Sequence, residues 1–396
     1  MEQTVKQLTI FFYDELWTTL IPQLAQSDEC IQRAVVTLSM HHEGYADSGS
    51  NGEKSRALRE YNRAIKCVHQ IAPNLTSLHL LSCALSICVE ALRNGHNSIP
   101  AHRRTNDGIL ALAQPFFTRL AFQITVLLSG KGLELSTLDN GITAATRLSP
   151  ITNFHFTKLA DARDSLQDFA LNWIRRGSCS REELRGHHAT LVRWGTAYEN
   201  FHAINQSLPN GLDEKSGHAL LEMHRRYLLV EISAAQIASI QDPIVWDAYT
   251  AELADVLGYG ELAIRLAFEG KEHTDGARIF HMDTGIVTVA FLIAMRCRDP
   301  LIRRRALALL SLGPLQEGVW NRTLASQAAY GLIALEEHQL KVAMSCDDIP
   351  RESRVTQVSA CISDGQSYVR AQLEKKSGIA EHDITLEQLP GAAAME

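Results

Sequence analysis

The chain lacks any apolar run long enough to cross a bilayer. The longest, LHLLSCALSICVEAL from Leu78 to Leu92, is broken by His79 and Glu90 and falls short of the roughly 20 residues that a span needs, so it reads as a core helix. Positive charge does not predominate either. Lys and Arg number 38 against 45 Asp and Glu, for a formal net charge of -7, whereas a general nucleic-acid binder leans the other way. The N-terminus, MEQTVKQLTIFFYDELW, puts Glu2 where a secretory signal needs positive charge and Asp14 and Glu15 where its apolar stretch would continue, so secretion by that route is not expected.

None of the eight cysteines (Cys30, Cys67, Cys83, Cys88, Cys179, Cys297, Cys346, Cys361) stands in a C-x-x-C pair, which removes the spacing used by structural zinc sites and redox dithiols. Cys83 and Cys88, five apart, turn away from a common helical face. The expectation is free, mostly buried thiols in a reducing compartment. No G-x-S-x-G, P-loop or H-E-x-x-H pattern occurs, so the familiar catalytic scaffolds have no support. GYGELA (Gly258 to Ala263) fits the glycine pattern of a dinucleotide site, but that site needs a preceding strand and TAELADVL is helical, so a turn between two helices is expected. The closest histidine groupings are His41 and His42 with Glu43, His187 with His188, and His218 with Glu222 and His224. Adjacent histidines diverge by about 100° on a helix, and two ligands alone make a weak metal site. No metal or cofactor is expected.

What is present is helical periodicity from end to end. At 396 residues, 45% apolar and 21% charged, the chain has ample material for a core, and its length fits two or three domains or one extended helical array. A first helix is expected over residues 5–26, bent or divided at Pro22, followed by Ser27 as an N-cap and a helix with a buried stripe of Ile31, Ala34, Val35 and Leu38. ADSGSNGEK (46–54) and NGLDEKS (210–216) read as exposed loops. Further helices are expected to about Ile71, to Gly95, over 165–176, 181–206, 217–240, 245–257, 260–271, 275–298 and 300–312, and over LASQAAYGLIALEEHQLKVAM. SRVTQVSACISDGQSYVRAQLEKK reads as partly helical. Short connections imply antiparallel neighbours. The fold class is therefore all-α, an array of helical hairpins over residues 1–375 that would divide, if at all, near 130–180, with a flexible tail at 376–396.

The densest positive charge is MRCRDPLIRRRALALLSL, with Arg296, Arg298, Arg303, Arg304 and Arg305. Asp299 suits an N-cap, Pro300 the first helical position, and Gly313 and Pro314 a stop, making PLIRRRALALLSL one capped helix. At 100° per residue, Leu301, Ile302, Ala306, Leu309 and Leu310 share one broad half. Arg303 and Arg304 fall opposite, while Arg305 lies within the apolar half and needs its stem packed and its head met by a carboxylate, Glu317 being one candidate, or by backbone carbonyls. A solvated face, a partner or nuclear-import patch, and a nucleic-acid contact are the readings of the outward pair, in falling order. His281 and Asp283 stand within an almost wholly apolar segment, ARIFHMDTGIVTVAFLIAM. They either cap a neighbouring element or line a ligand cavity.

The run from Arg278 to Glu337 resembles the C-terminal part of the regulatory region of fungal zinc-cluster (Zn2Cys6) transcription factors. The matching residues are Phe280, Asp283, Gly285, Ile286, Ala294, Cys297, Arg298, Asp299, Pro300, Arg303, Arg304, Ala306, Leu309, Leu310, Pro314, Glu317, Gly318 and Trp320. Segments from Leu16 onward look like that family's successive helices, so the likeness covers roughly residues 5–340. It implies an all-helical regulatory domain, a place in the nucleus or cytoplasm, and control of metabolic or biosynthetic genes, secondary metabolism among them. The six zinc-binding cysteines, linker and coiled coil of the family are missing. The resemblance therefore implies action through protein partners or a small-molecule effector, with no direct nucleic-acid contact, no membrane, and room for a homodimer. An enzyme on the same scaffold, converting a lipophilic metabolite in an inter-helix cavity, is the alternative, with His281 and Asp283 as its first candidates.

Overall fold

The computed structural model describes residues 2–47, 51–70, 76–94, 108–128, 154–176, 179–205, 212–269, 279–338, 340, 342–363, 366–375 and 378–386. Among these the body is all-α, with thirteen α-helices. The first helix is divided earlier than Pro22. Helix α1 (Glu2–Leu8) stops, and the chain re-enters helix through a π-turn at Leu16–Leu20 that leads into α2 (Ile21–Ser27). The break falls where the Asp14 carboxylate accepts the Leu16 N–H at 3.0 Å. Pro22 follows directly on that π-turn, in helix that is continuous from residue 15 to Ser27, so its missing N–H falls where the helix is already widened.

Helix α3 (Glu29–Asp47) is capped by Asp28 rather than Ser27, since Asp28 Oδ1 accepts the Ile31 N–H at 2.9 Å. Helices α3 and α4 (Asn51–Gln70) consume most of the segment read as a loop; its remainder, 48–50, lies outside the described residues. A disulfide between Cys30 and Cys67, with Cα atoms 5.5 Å apart, ties the start of α3 to the end of α4 and corrects the expectation of free thiols for this pair. The two lie 37 residues apart in sequence and become neighbours only when the helices run antiparallel. Cys83, Cys88, Cys179, Cys297 and Cys346 take part in no disulfide, and the side chain of Cys361 lies outside the described residues. Helices α5 (Thr76–Asn94) and α6 (Gly108–Leu128) follow.

Helix α7 (Leu159–Arg175) starts where Asp161 accepts the N–H groups of Thr157 and Lys158. A capping box starts α8 (Arg181–Asn205): Glu183 accepts the Ser180 N–H at 2.7 Å and Ser180 Oγ accepts the Glu183 N–H at 3.2 Å. Helix α9 begins at Leu212, inside the segment read as an exposed loop, and runs to Ile237 with Ser216 buried. Helix α10 (Thr250–Ala267) runs unbroken through GYGELA, correcting the expected turn. Gly260 is there because Met223 and Leu309 pack directly over its Cα.

The expected helix over 275–298 begins only at Ile286. Phe280–His281 forms strand β1, which pairs in parallel with β2 (Gln316–Glu317), itself antiparallel to β3 (Trp320–Asn321). Of the helices that follow, α11 (Ile286–Arg296), α12 (Pro300–Leu312) and α13 (Arg322–Glu337), the first and last contact β3, and α1 contacts β1. The ends of α12 fall where its capping residues put them.

The C-terminal segment is neither partly helical nor a tail as far as residue 386. Strands β4 (Val355–Ser363), β5 (Gln366–Lys375) and β6 (Gly378–Thr385) form an antiparallel meander. The alternation lies in SYVRAQLE, where Val369, Ala371 and Leu373 are buried and Arg370 and Gln372 stand between them on the other face. Residues 387–396 lie outside the described ones. One apolar core runs from Leu8 to Leu386 and takes in residues on both sides of 130–180. No helix among the described residues is long and apolar enough to cross a membrane.

Candidate functional site

The resemblance residues are spent on holding elements together. Asp283, in the turn before α11, pairs with Arg119 Nε at 2.9 Å and with Arg163 Nη1 at 3.4 Å. The same arginines reach Asp14, each at 2.9 Å, and Asp164, so the segment after α1, helices α6 and α7, and the start of α11 meet at one charged knot. Burial alone would raise Asp14, but Arg119 and Arg163 outweigh it and hold the carboxyl below its usual range. His281 is fully buried, edge-on to Phe11, with Nε2 3.6 Å from Glu317 Oε1.

Glu317 accepts the first two N–H groups of α11, from Ile286 and Val287, at 2.9 Å each. A side chain at Gly285 would occupy the space of that carboxylate, so the helix start requires glycine there. Gly318 follows at φ +53 with Gln123 against its Cα, a conformation open chiefly to glycine. Trp320 is buried, its ring 5.5 Å from Phe291.

The arginine run differs from its helical-wheel reading. Asp299 accepts the Leu301 and Ile302 N–H groups at 3.0 Å each, and Pro300 is the first residue of α12, as expected. Arg303, expected outward, is 0% exposed. It contacts Glu336, donates Nε to Ala294 O at 3.1 Å, and lies 3.5 Å from Glu337. Arg304 does face outward, pairing with Glu337. Arg305 pairs with Glu261 and donates to Ala254 O, far from Glu317, and Leu301 is 78% exposed. The cause is that α12 touches three helices, α10, α11 and α13, whereas the wheel assumed one buried face.

Arg298 completes this cluster and turns one side of it toward an opening. Its Nη2 donates to Glu336 Oε1 at 2.8 Å and to Val355 O at 2.7 Å, while Glu336 Oε1 accepts the Val355 N–H at 2.6 Å. Burial would raise Glu336, and Arg298 and Arg303 reverse this and hold it ionised. The pair thereby fixes the first residue of β4 to α13.

Between the helices and the meander lies a cavity of about 630 Å³, within the range that holds small organic ligands. Its floor is apolar: Phe122 from α6, Ala170 from α7, Leu228 from α9, and Val289 and Leu292 from α11. Val358 and Ile379 of the meander form the outer wall. Two buried polar groups interrupt the floor. His224 donates Nε2–H to Gly285 O at 2.8 Å, leaving Nδ1 to accept from Gln167 Nε2 at 3.3 Å; burial keeps the ring neutral. Thr288, 1% exposed, has a hydroxyl with no hydrogen-bond partner.

Toward the mouth, Arg296 donates to Tyr227 Oη at 2.5 Å and to Glu231 Oε1 at 3.0 Å, over the face of Trp246. Arg176, at the end of α7, stacks on Trp173 and donates to its carbonyl. It makes no ion pair among the described residues. Its pKa is lowered, first by burial and then by Arg296, with Glu231 acting the other way. His281 and Asp283 do not line this cavity, whereas Arg298 does.

Sequence reasoning missed Arg176, Thr288 and Glu231. The usable signals were one acid in the apolar run LLVEISAA and one hydroxyl residue in IVTVAFLIAM. Of the histidine groupings, His224 supports the cavity floor. His218 pairs with Tyr198 Oη at 2.6 Å and with His202 at 3.3 Å, and burial followed by His202 pushes it down to about 4. Among the described residues no cluster of three metal-ligating side chains occurs. No family model, curated protein or solved structure matches the chain.

Proposed function

We propose that this chain is a transcription regulator of the fungal zinc-cluster type, working without its own DNA-binding part and controlled by a small-molecule effector held between the helices and the C-terminal meander. The observation that carries the reading is the placing of Arg298. This residue of the resemblance run both lines the cavity and anchors the meander through Glu336 and Val355, so occupancy of the cavity bears directly on where the sheet sits. The polar groups suit holding better than turnover. His224 has both nitrogens hydrogen-bonded, to Gly285 O and Gln167, and Glu231 is ion-paired with Arg296, so both are engaged in holding neighbouring elements.

In this reading the chain acts in the nucleus or between nucleus and cytoplasm, reaches its metabolic or biosynthetic genes through protein partners, and can do so as a homodimer. The test is to tether the full chain to a heterologous DNA-binding module upstream of a reporter. A reporter output that differs from that of the module alone supports the proposal, and output equal to the module alone in all growth conditions contradicts it.

A further inference from the structure

The cavity wall carries a charge imbalance opposite to that of the whole chain. The charged side chains lining it are four arginines, Arg176, Arg296, Arg298 and Arg351, against two acids, Glu231 and Asp242, in a protein of formal net charge -7. Three of the arginines are matched: Arg296 by Glu231, Arg298 by Glu336 and Arg351 by Asp242. Arg176 is the exception, and its guanidinium is already ordered by Trp173, so less freedom is lost when an anion docks on it. The rest of the lining mixes aliphatic and aromatic side chains with polar ones, Gln167, His224, Ser239, Gln241 and Gln372 among them, and the unpartnered Thr288 hydroxyl lies in its floor. Such a hydroxyl costs free energy until something accepts or donates to it.

Resting on the effector reading above, we propose that the cavity takes an organic anion with an apolar body, its carboxylate or sulfonate seated on Arg176 and its body lying on Phe122, Ala170 and Leu292. The ligand needs one anionic group, because one guanidinium is open, and a body of drug-like size, because the cavity measures about 630 Å³. A metabolite with two or more anionic groups would leave charge buried without a partner.

Two dyes that share an anilinonaphthalene body test this, one bearing a sulfonate (1-anilinonaphthalene-8-sulfonate) and one without it (N-phenyl-1-naphthylamine), titrated against the full chain by fluorescence. Arg176→Gln is expected to weaken the sulfonate dye by about tenfold, the size of one charge-assisted contact, and to leave the neutral dye unchanged; Arg176→Lys keeps most of the affinity. Ala170→Phe, which fills the floor, is expected to abolish both. If Ala170→Phe removes both dyes while Arg176→Gln changes neither, the cavity stands and the anion inference falls. If Ala170→Phe changes neither dye, the cavity is not the binding site and the effector reading falls with the inference. Should Arg176→Gln fail to melt cooperatively, competition on the unaltered chain decides: decanoate is expected to displace the sulfonate dye where 1-decanol does not, and equal displacement by the two overturns the proposal.

Discussion

Arg298 and Glu336 form a buried ion pair, Nη2 to Oε1 at 2.8 Å, between the loop before α12 and the last turn of α13. Glu336 also receives Arg303 and the N–H of Val355, so one carboxylate gathers two guanidinium groups and the first strand of the meander. Glu336→Gln leaves two buried arginines short of an anion and is expected to cost about 3–5 kcal/mol in chemical denaturation. Arg304→Ala, on an exposed pair, is expected to cost under about 1 kcal/mol. Equal effects would show that the buried cluster is not what holds α12 and α13.

Thr288→Val replaces an unpartnered buried hydroxyl with a methyl group of similar shape. The ligand-free protein is expected to keep its stability or gain about 1 kcal/mol, since no hydrogen bond is lost. A loss of more than about 1 kcal/mol in the same denaturation would mean that the hydroxyl is bonded within the folded chain.

The helices were legible where the code is local. Asp299, Pro300 and Gly313 set α12 from Pro300 to Leu312 by capping chemistry alone; the stop expected at Gly95 lies outside the described residues. What depended on distant partners was not legible. Arg303 is buried because α13 brings Glu336 to it, and Arg305 finds Glu261 because α10 lies alongside. His281 and Asp283 were singled out correctly as buried polar groups but placed in a helix, since nothing local announces that Glu317, some thirty residues on, caps the helix at Ile286. The meander was lost to a helical reading because its alternation is confined to short stretches such as SYVRAQLE.

Asp168 carries a pH dependence of definite sign. Burial, with Asp164 beside it, pushes its carboxyl up to about 6 from 3.8. A raised folded pKa means that its contribution to stability is full below about pH 4 and is lost as pH rises through 6. Asp168→Asn is therefore expected to match the parent near pH 4 and to be more stable than it at pH 8. Asp14 and Glu336, held low in the folded chain, act in the opposite sense, contributing stability that is lost as pH falls below the usual carboxylate range. A variant that shows the same difference from the parent at both pH values would contradict the assignment to Asp168.

The Cys30–Cys67 bond closes a loop of 37 residues and is expected to contribute about 3–4 kcal/mol through restriction of the unfolded chain. Peptide mapping without reductant should recover the two cysteines on one linked peptide, and Cys30→Ser should lower the melting temperature. Alkylation of both thiols in the folded, unreduced protein would contradict the bond.

The claim on which the functional account rests is that the cavity holds a small metabolite without changing it. The most direct measurement is native mass spectrometry of the full chain after incubation with a metabolite extract, beside Ala170→Phe treated identically. An adduct is expected on the unaltered chain, released intact as a singly anionic apolar molecule and missing from Ala170→Phe. A new product accumulating at catalytic protein amounts, or the same adduct on both proteins, would contradict it.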